Sequence, residues 1–271
     1  MPNQVNYYEM IGFQSATPCP SSDLPETPDL SHTAIFLDFD GTLTEIAPRP
    51  DEISIDPALP RILNDLARAT DGALAVVSGR RLADLEHYLP GFRGVLVGCH
   101  GAERRIGGTY ERIDECDCET LEGFRDVVRA WVRHKEKVLL EEKPASVVLH
   151  FRQAPEAMTE GEHFLNSLVE GLDGWTVHHA KMALELIPSR VSKGGAVTEL
   201  LSHMPDRTPI AIGDDTTDET MFAVATQNGG YGIRVGDGDT HAKHCIASVE
   251  TLRRMLESWV RDPRGVKCPN A

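Results

Sequence analysis

Two short acidic clusters carry the residues best suited to chemistry: Asp38-Phe39-Asp40-Gly41-Thr42 and Gly213-Asp214-Asp215-Thr216-Thr217-Asp218-Glu219. In extended backbone, residues two apart project to the same side, so Asp38 and Asp40 face one crevice while Phe39 points away. One such carboxylate can attack an electrophile while its neighbour handles protons. A strand running into an Asx turn would by itself explain Asp40-Gly41. The second cluster reads in part as a helix start, with Thr217 as cap and Asp218 and Glu219 at the positive end of the dipole. That leaves Asp214 and Asp215 unexplained. Two acidic clusters lining one crevice repel unless a hard cation sits between them, and carboxylate ligands point to Mg2+. Ser78, followed by Gly79-Arg80, offers a hydroxyl and backbone N–H groups to an oxyanion. Lys193, opening Lys193-Gly194-Gly195, adds an ammonium. Each alone reads as ordinary helix capping. Together they supply a nucleophile, an acid/base, a divalent cation and two phosphate anchors, which is what phosphoryl transfer requires.

These residues sit at the ends of short apolar runs. Ala34 to Leu37 ends at Asp38, Leu74 to Val77 at Ser78, Val95 to Val97 at Gly98 to His100, and Ile210 to Ile212 at Gly213. Runs of this kind suit parallel strands buried on both faces. Between them, Leu59, Ile62, Leu63 and Leu66 have helical spacing, as do Leu82, Leu85 and Leu89. Val197, Leu200 and Leu201 mark another helix, and Leu252, Met255, Leu256 and Trp259 a closing one. The alternation predicts a doubly wound α/β sheet, whose ligands sit beyond the carboxyl ends of its strands.

Residues 110–185 break that rhythm with helix, two strands, helix, two strands, which predicts an inserted α+β cap. Val148, His150 and Arg152 share one face of a strand, and Val147, Leu149 and Phe151 the other. The expected organisation is a loose leader over 1–31, a discontinuous core over 32–109 and 186–265, the cap over 110–185, and a tail over 266–271.

Composition bounds the partners. The 27 Lys and Arg against 42 Asp and Glu give a formal charge of -15, which argues against nucleic acid. The longest apolar runs, such as Ala73 to Val77, fall far short of the roughly 20 residues of a membrane span. No secretory signal is visible, and six sparse cysteines suggest free thiols in a reducing cytoplasm. A monomer or weak homo-oligomer is expected.

The ordered set Asp38-x-Asp40-Gly41-Thr42, Ser78, Lys193 and Gly213-Asp214-Asp215 resembles the haloacid dehalogenase-like phosphohydrolase superfamily over about residues 33–260. The insert between Ser78 and Lys193 is similar to that family's larger α/β caps, which choose the substrate. A narrower set looks like the trehalose-6-phosphate phosphatases: Ser78-Gly79-Arg80, Gly98 to Glu103, Glu142-Lys143-x-x-Ser146 leading to His150-x-Arg152, Lys181 with Glu185, and the Gly213 to Glu219 cluster. Phe39 and Phe151 depart from it, standing where Tyr is common. The resemblance implies a sugar-phosphate substrate, attack by Asp38 and proton transfer by Asp40. It implies Ser78 and Lys193 on the phosphoryl oxygens, and Mg2+ held by Asp38, the Asp40 carbonyl and Asp214, with Asp218 or Asp215 in support. Glu142, Lys143, Ser146 and Glu185 are then expected to read the sugar from the cap, with His100 and Arg80 on the core side. His150 and Arg152 stand evenly between recognition and ordinary sheet polarity. Competing readings are a phosphatase of sucrose 6-phosphate or a hexose phosphate, and a non-catalytic sugar-phosphate sensor.

Overall fold

The computed structural model describes residues 17–18, 24–47, 52–112, 118–180 and 182–262. Most of the expected leader, Lys181 and the whole of the expected tail lie outside them. The four predicted core strands pair with four that the sequence pattern does not single out into one eight-stranded sheet: β1 (Thr33–Leu37), β2 (Leu74–Val77), β3 (Val95–Gly98), β4 (Glu103–Ile106), β5 (Thr109–Arg112), β10 (Thr208–Gly213), β11 (Tyr231–Val235) and β12 (His244–Ile246). The spatial order is β12-β11-β10-β1-β2-β3-β4-β5. The six strands from β12 to β3 are parallel, and β4 and β5 add an antiparallel hairpin at the edge.

Alternation along β1 divides the core in two. Ile35 and Leu37 meet the apolar stripes of α1 (Leu59–Ala69), α2 (Leu82–Tyr88) and α7 (Val249–Arg261) on one face. Ala34 and Phe36 meet α5 (Lys193–Ser202) and α6 (Glu219–Gln227) on the other. Helices on both faces bury the central parallel strands β1, β2, β3 and β10, so these strands carry continuous apolar runs. From β1 the chain proceeds outward through β2 and β3, then returns to the other side of β1 with β10. The topological switch point therefore lies between β1 and β10, where a doubly wound sheet opens its ligand crevice.

The insert has its own sheet, β6 (Leu139–Glu142), β7 (Val147–His150), β8 (Trp175–Ala180) and β9 (Ala183–Pro188), in the order β6-β7-β9-β8 and antiparallel throughout. Helices α3 (Cys118–Val132) and α4 (Met158–Val169) cover one face, with Val147, Leu149, Phe151, Leu184 and Leu186 between. This is the parity that the alternation along β7 predicts. Two edges differ from expectation: β5 of the core sheet continues through Arg112, and β9 of the small sheet continues to Pro188.

Cys99 is free and buried. Cys245 is disulfide-bonded, so the free-thiol expectation fails at that residue. Among the described residues, no helix is long and apolar enough to cross a membrane.

Candidate active site

Register brings the acidic clusters together. Leu37 of β1 pairs with Ile212 of β10, and the Asp38 N–H donates to the Ile212 carbonyl at 2.8 Å. Asp38 and Asp214 thus leave adjacent parallel strands at the same end. Gly41 lets them meet: its φ is +83°, and a Cβ there would fall 2.1 Å from Asp214 Oδ2. Any larger residue would displace the Asp214 carboxylate, and the positive φ disfavours a side chain there in any case. Thr42, to which the sequence pattern assigns no role, is buried between them. Its hydroxyl lies 3.4 Å from both Asp38 Oδ2 and Asp214 Oδ1.

The third carboxylate is Asp218. Asp215, not Thr217 as expected, caps the turn Thr216–Asp218, and the Asp218 side chain completes a capping box. Asp218 Oδ2 accepts from the Asp214 and Asp215 N–H groups at 2.9 and 3.0 Å. Its other oxygen accepts from Lys193 Nζ at 2.7 Å, and Lys193 also donates to Asp38 Oδ1 at 2.5 Å. Lys193 opens α5, where Ser192 caps the helix by accepting from the Gly195 N–H.

Asp38, Asp214 and Asp218 each offer an oxygen within 4.8 Å of the other two. One ammonium does not balance three carboxylates. Burial first, and the charge of Asp218 second, hold Asp38 well above the ordinary carboxylate range and push Asp214 up to about 7. At Lys193 burial opposes the charge, but Asp218 and Asp38 outweigh it and raise the pKa. A partly buried, all-oxygen donor set with surplus negative charge fits a hard divalent cation. Asp218 is the better placed of the two alternatives, because its carboxylate and not that of Asp215 lies in the cluster with Asp38 and Asp214.

On the other side of β1, Ser78 follows β2. Its Oγ accepts from the Arg80 N–H at 3.1 Å, which leaves its own proton to donate. Arg80 grips Asp40 through Nε at 2.6 Å and Nη2 at 2.7 Å. Burial lowers the Arg80 pKa, but this pairing more than offsets it. Beyond β3 the chain turns through Cys99 and His100, both in the left-handed region with φ of +48° and +56°. Such strain persists only where surrounding bonds fix it. Here the Cys99 and His100 N–H groups donate to the Arg80 and Ser78 carbonyls at 2.7 and 2.9 Å, lacing the two loops together.

The exposed-parity face of the cap sheet meets these loops. Glu185 of β9 is buried, accepts from the Ser146 hydroxyl, and lies 2.9 Å from His100 Nε2 and 3.3 Å from Lys143 Nζ. Lys143 also donates to the Gly79 carbonyl at 2.8 Å, and Arg152 to the Ala47 carbonyl, so both bridge cap and core. Burial works against ionising Glu185, but Lys143 and His100 hold it well below the usual carboxylate range.

Glu142 is placed elsewhere. Arg129 of α3 binds both its oxygens, at 2.6 and 2.7 Å, on the helix-covered face. Glu141, its neighbour of opposite parity, points to the site face and bonds His150 Nε2 at 2.8 Å. His178, opposite Glu185 in register, is a second site-face residue that the sequence pattern does not single out.

The family model described as trehalose-phosphatase matches residues 36–254. The chain belongs to the trehalose-phosphatase family. It is 37% identical over 236 residues to a probable trehalose-phosphate phosphatase of Sinorhizobium fredii, covering 84% of this chain and 88% of that one. The crystal structure of a trehalose-6-phosphate phosphatase related protein superposes with a TM-score of 0.69 at 27% identity, covering 84% of this chain and 97% of that one. A haloacid dehalogenase-like hydrolase from Bacteroides thetaiotaomicron, 18% identical, shares the fold with a TM-score of 0.61, over 84% of this chain and 99% of that one. As in that neighbour, the trehalose-phosphatase chain has a haloacid dehalogenase-like core, here with an inserted α+β cap.

Proposed function

We propose that this protein is a Mg2+-dependent phosphatase that hydrolyses trehalose 6-phosphate to trehalose and inorganic phosphate. One observation carries the reading: Asp38, Asp214 and Asp218 converge within 4.8 Å at the switch point, with Lys193 bonded to two of them, in a chain of this family.

Asp38 attacks phosphorus in line, so that its bond to phosphorus forms as the bond to the sugar oxygen breaks. Asp40, once its pair with Arg80 opens and it has taken up a proton, gives that proton to the departing oxygen. Asp40 then takes a proton from the water that cleaves the aspartyl-phosphate, releasing phosphate and restoring Asp38. Proton transfer of this kind contributes on the order of 10² to 10⁴ in rate. Lys193 orients Asp38 and reaches the phosphoryl oxygens, and the Ser78 hydroxyl donates to them. Asp38, the Asp40 carbonyl, Asp214 and Asp218 would hold Mg2+, which would supply the positive charge that lets a carboxylate meet a dianion. Glu141, Lys143, Ser146, Glu185 and His100 read the sugar hydroxyls. A wrong sugar leaves these buried groups unpaired, and that penalty gives selectivity.

Phosphate release from trehalose 6-phosphate, sucrose 6-phosphate and glucose 6-phosphate, with and without Mg2+, tests the reading. Preference for the first, dependent on Mg2+, is expected. Faster release from another sugar phosphate reassigns the substrate, and binding without release makes the protein a sensor.

A further inference from the structure

His178 lies on β8 directly opposite Glu185, on the cap face turned towards the core. Its ring meets that of His100 edge-on, with centroids 6.3 Å apart and planes at 87°. Strand β8 also packs against the turn Thr216–Asp218, so His178 occupies the seam between cap and core rather than an outer surface. Its neighbours in this seam are satisfied: Glu185 is bonded by Ser146, Lys143 and His100. His178 is not. Its Nδ1 is shut off from solvent and has no hydrogen-bond partner. A buried polar atom left in that state costs roughly 1–3 kcal/mol, and an apolar residue such as its neighbour Val177 would avoid the cost. Burial, with His100 beside it, brings the His178 pKa down to about 4, so the ring is neutral at physiological pH. A neutral imidazole offers one N–H and one lone pair, and a sugar hydroxyl can both give and accept.

We propose that His178 is a further specificity-determining residue, whose buried, unpartnered ring nitrogen hydrogen-bonds a hydroxyl of the disaccharide held between cap and core. This rests on the phosphatase reading above.

The test has two arms. In the Mg2+-loaded enzyme, His178→Ala and His178→Gln are compared on trehalose 6-phosphate and a small aryl phosphate. The ratio of kcat/KM for the sugar phosphate to that for the aryl phosphate should fall ten- to a hundredfold in His178→Ala, chiefly through KM, and recover in part in His178→Gln. In wild-type protein, trehalose is titrated while the ring nitrogens of His178 are followed by NMR, and a saturable shift is expected. An unchanged ratio in a folded variant, or His178 signals indifferent to trehalose, overturns the proposal. Should the wild-type release no phosphate from any sugar phosphate, the phosphatase reading fails by itself, and the trehalose titration still decides the role of His178.

Discussion

Arg80 binds both carboxylate oxygens of Asp40 while its guanidinium packs against the rings of Phe39 and Tyr88, at 5.6 and 5.2 Å. Paired in this way, Asp40 is held as a carboxylate in one orientation by a rigid, doubly bonded partner, and the pair must open before Asp40 can carry a proton. The pair also ties the first acidic loop to the Ser78 loop, since Arg80 and Ser78 share a hydrogen bond.

Removing that grip should impair proton transfer more than phosphoryl binding. Arg80→Ala is expected to lower kcat on trehalose 6-phosphate by roughly 10- to 100-fold, within the range that a general acid contributes. The loss on an aryl phosphate, whose leaving group needs little protonation, should be several-fold smaller. Arg80→Lys should rescue only partly, because a single ammonium does not reproduce the fork. Steady-state kinetics on both substrates decide; equal losses would mean that Arg80 serves binding alone.

Asp38→Asn should leave the fold standing and abolish turnover by at least about a thousandfold, as loss of a covalent nucleophile does. Lys193 retains Asp218 as a charged partner at 2.7 Å, so the buried ammonium is not stranded. Circular dichroism and a thermal melt check the fold, and released phosphate checks the chemistry. Appreciable residual activity in a clean preparation would refute the covalent route.

Metal removal should act on stability as well as rate. Without an ion, the Asp214 carboxyl is raised from 3.8 to about 7. A carboxyl raised by folding stabilises the folded state only while protonated. That contribution is complete below the unfolded value of 3.8 and is lost as pH climbs through about 7. The loss is on the order of a few kcal/mol. Bound Mg2+ cancels it and adds mass-action stabilisation. Melts in Mg2+ and in chelator should therefore differ more at pH 8 than at pH 5, and activity should vanish in chelator and return with Mg2+. An ion-induced shift equal at both pH values would remove Asp214 from the metal site.

Four of the site residues are legible in the sequence because three follow buried parallel strands and the fourth, Lys193, opens the helix that leads into β10. Continuous apolar runs locate the strand ends, and the doubly wound topology forces Asp38, Ser78, Lys193 and Asp214 to one edge. Polar edges hide the rest. Glu103-Arg104-Arg105-Ile106 and Thr109-Tyr110-Glu111-Arg112 form β4 and β5 without an apolar run, and only the Gly107-Gly108 pair between them signals a hairpin. Strand parity is the other obstacle. Glu141-Glu142 and His178-His179 each offer two like residues on opposite faces, and only pairing with β7 and β9 decides which one meets the sugar side.

That parity yields a pair of opposed outcomes. Glu142 is bonded to Arg129 on the helix side, and both side chains are 31% exposed or more. Glu142→Gln should thus cost well under about 1 kcal/mol of stability, as partly exposed ion pairs do, and leave KM for the sugar phosphate unchanged. Glu141 faces the site, where burial opposes its charge but His150 and Lys143 hold its pKa below the ordinary value. Glu141→Gln keeps the size and removes the charge that sugar hydroxyls favour as an acceptor, so KM should rise about tenfold. Kinetics and melts on the two variants, made in parallel, test the assignment. A KM effect confined to Glu142→Gln would require β6 to present its other face to the site.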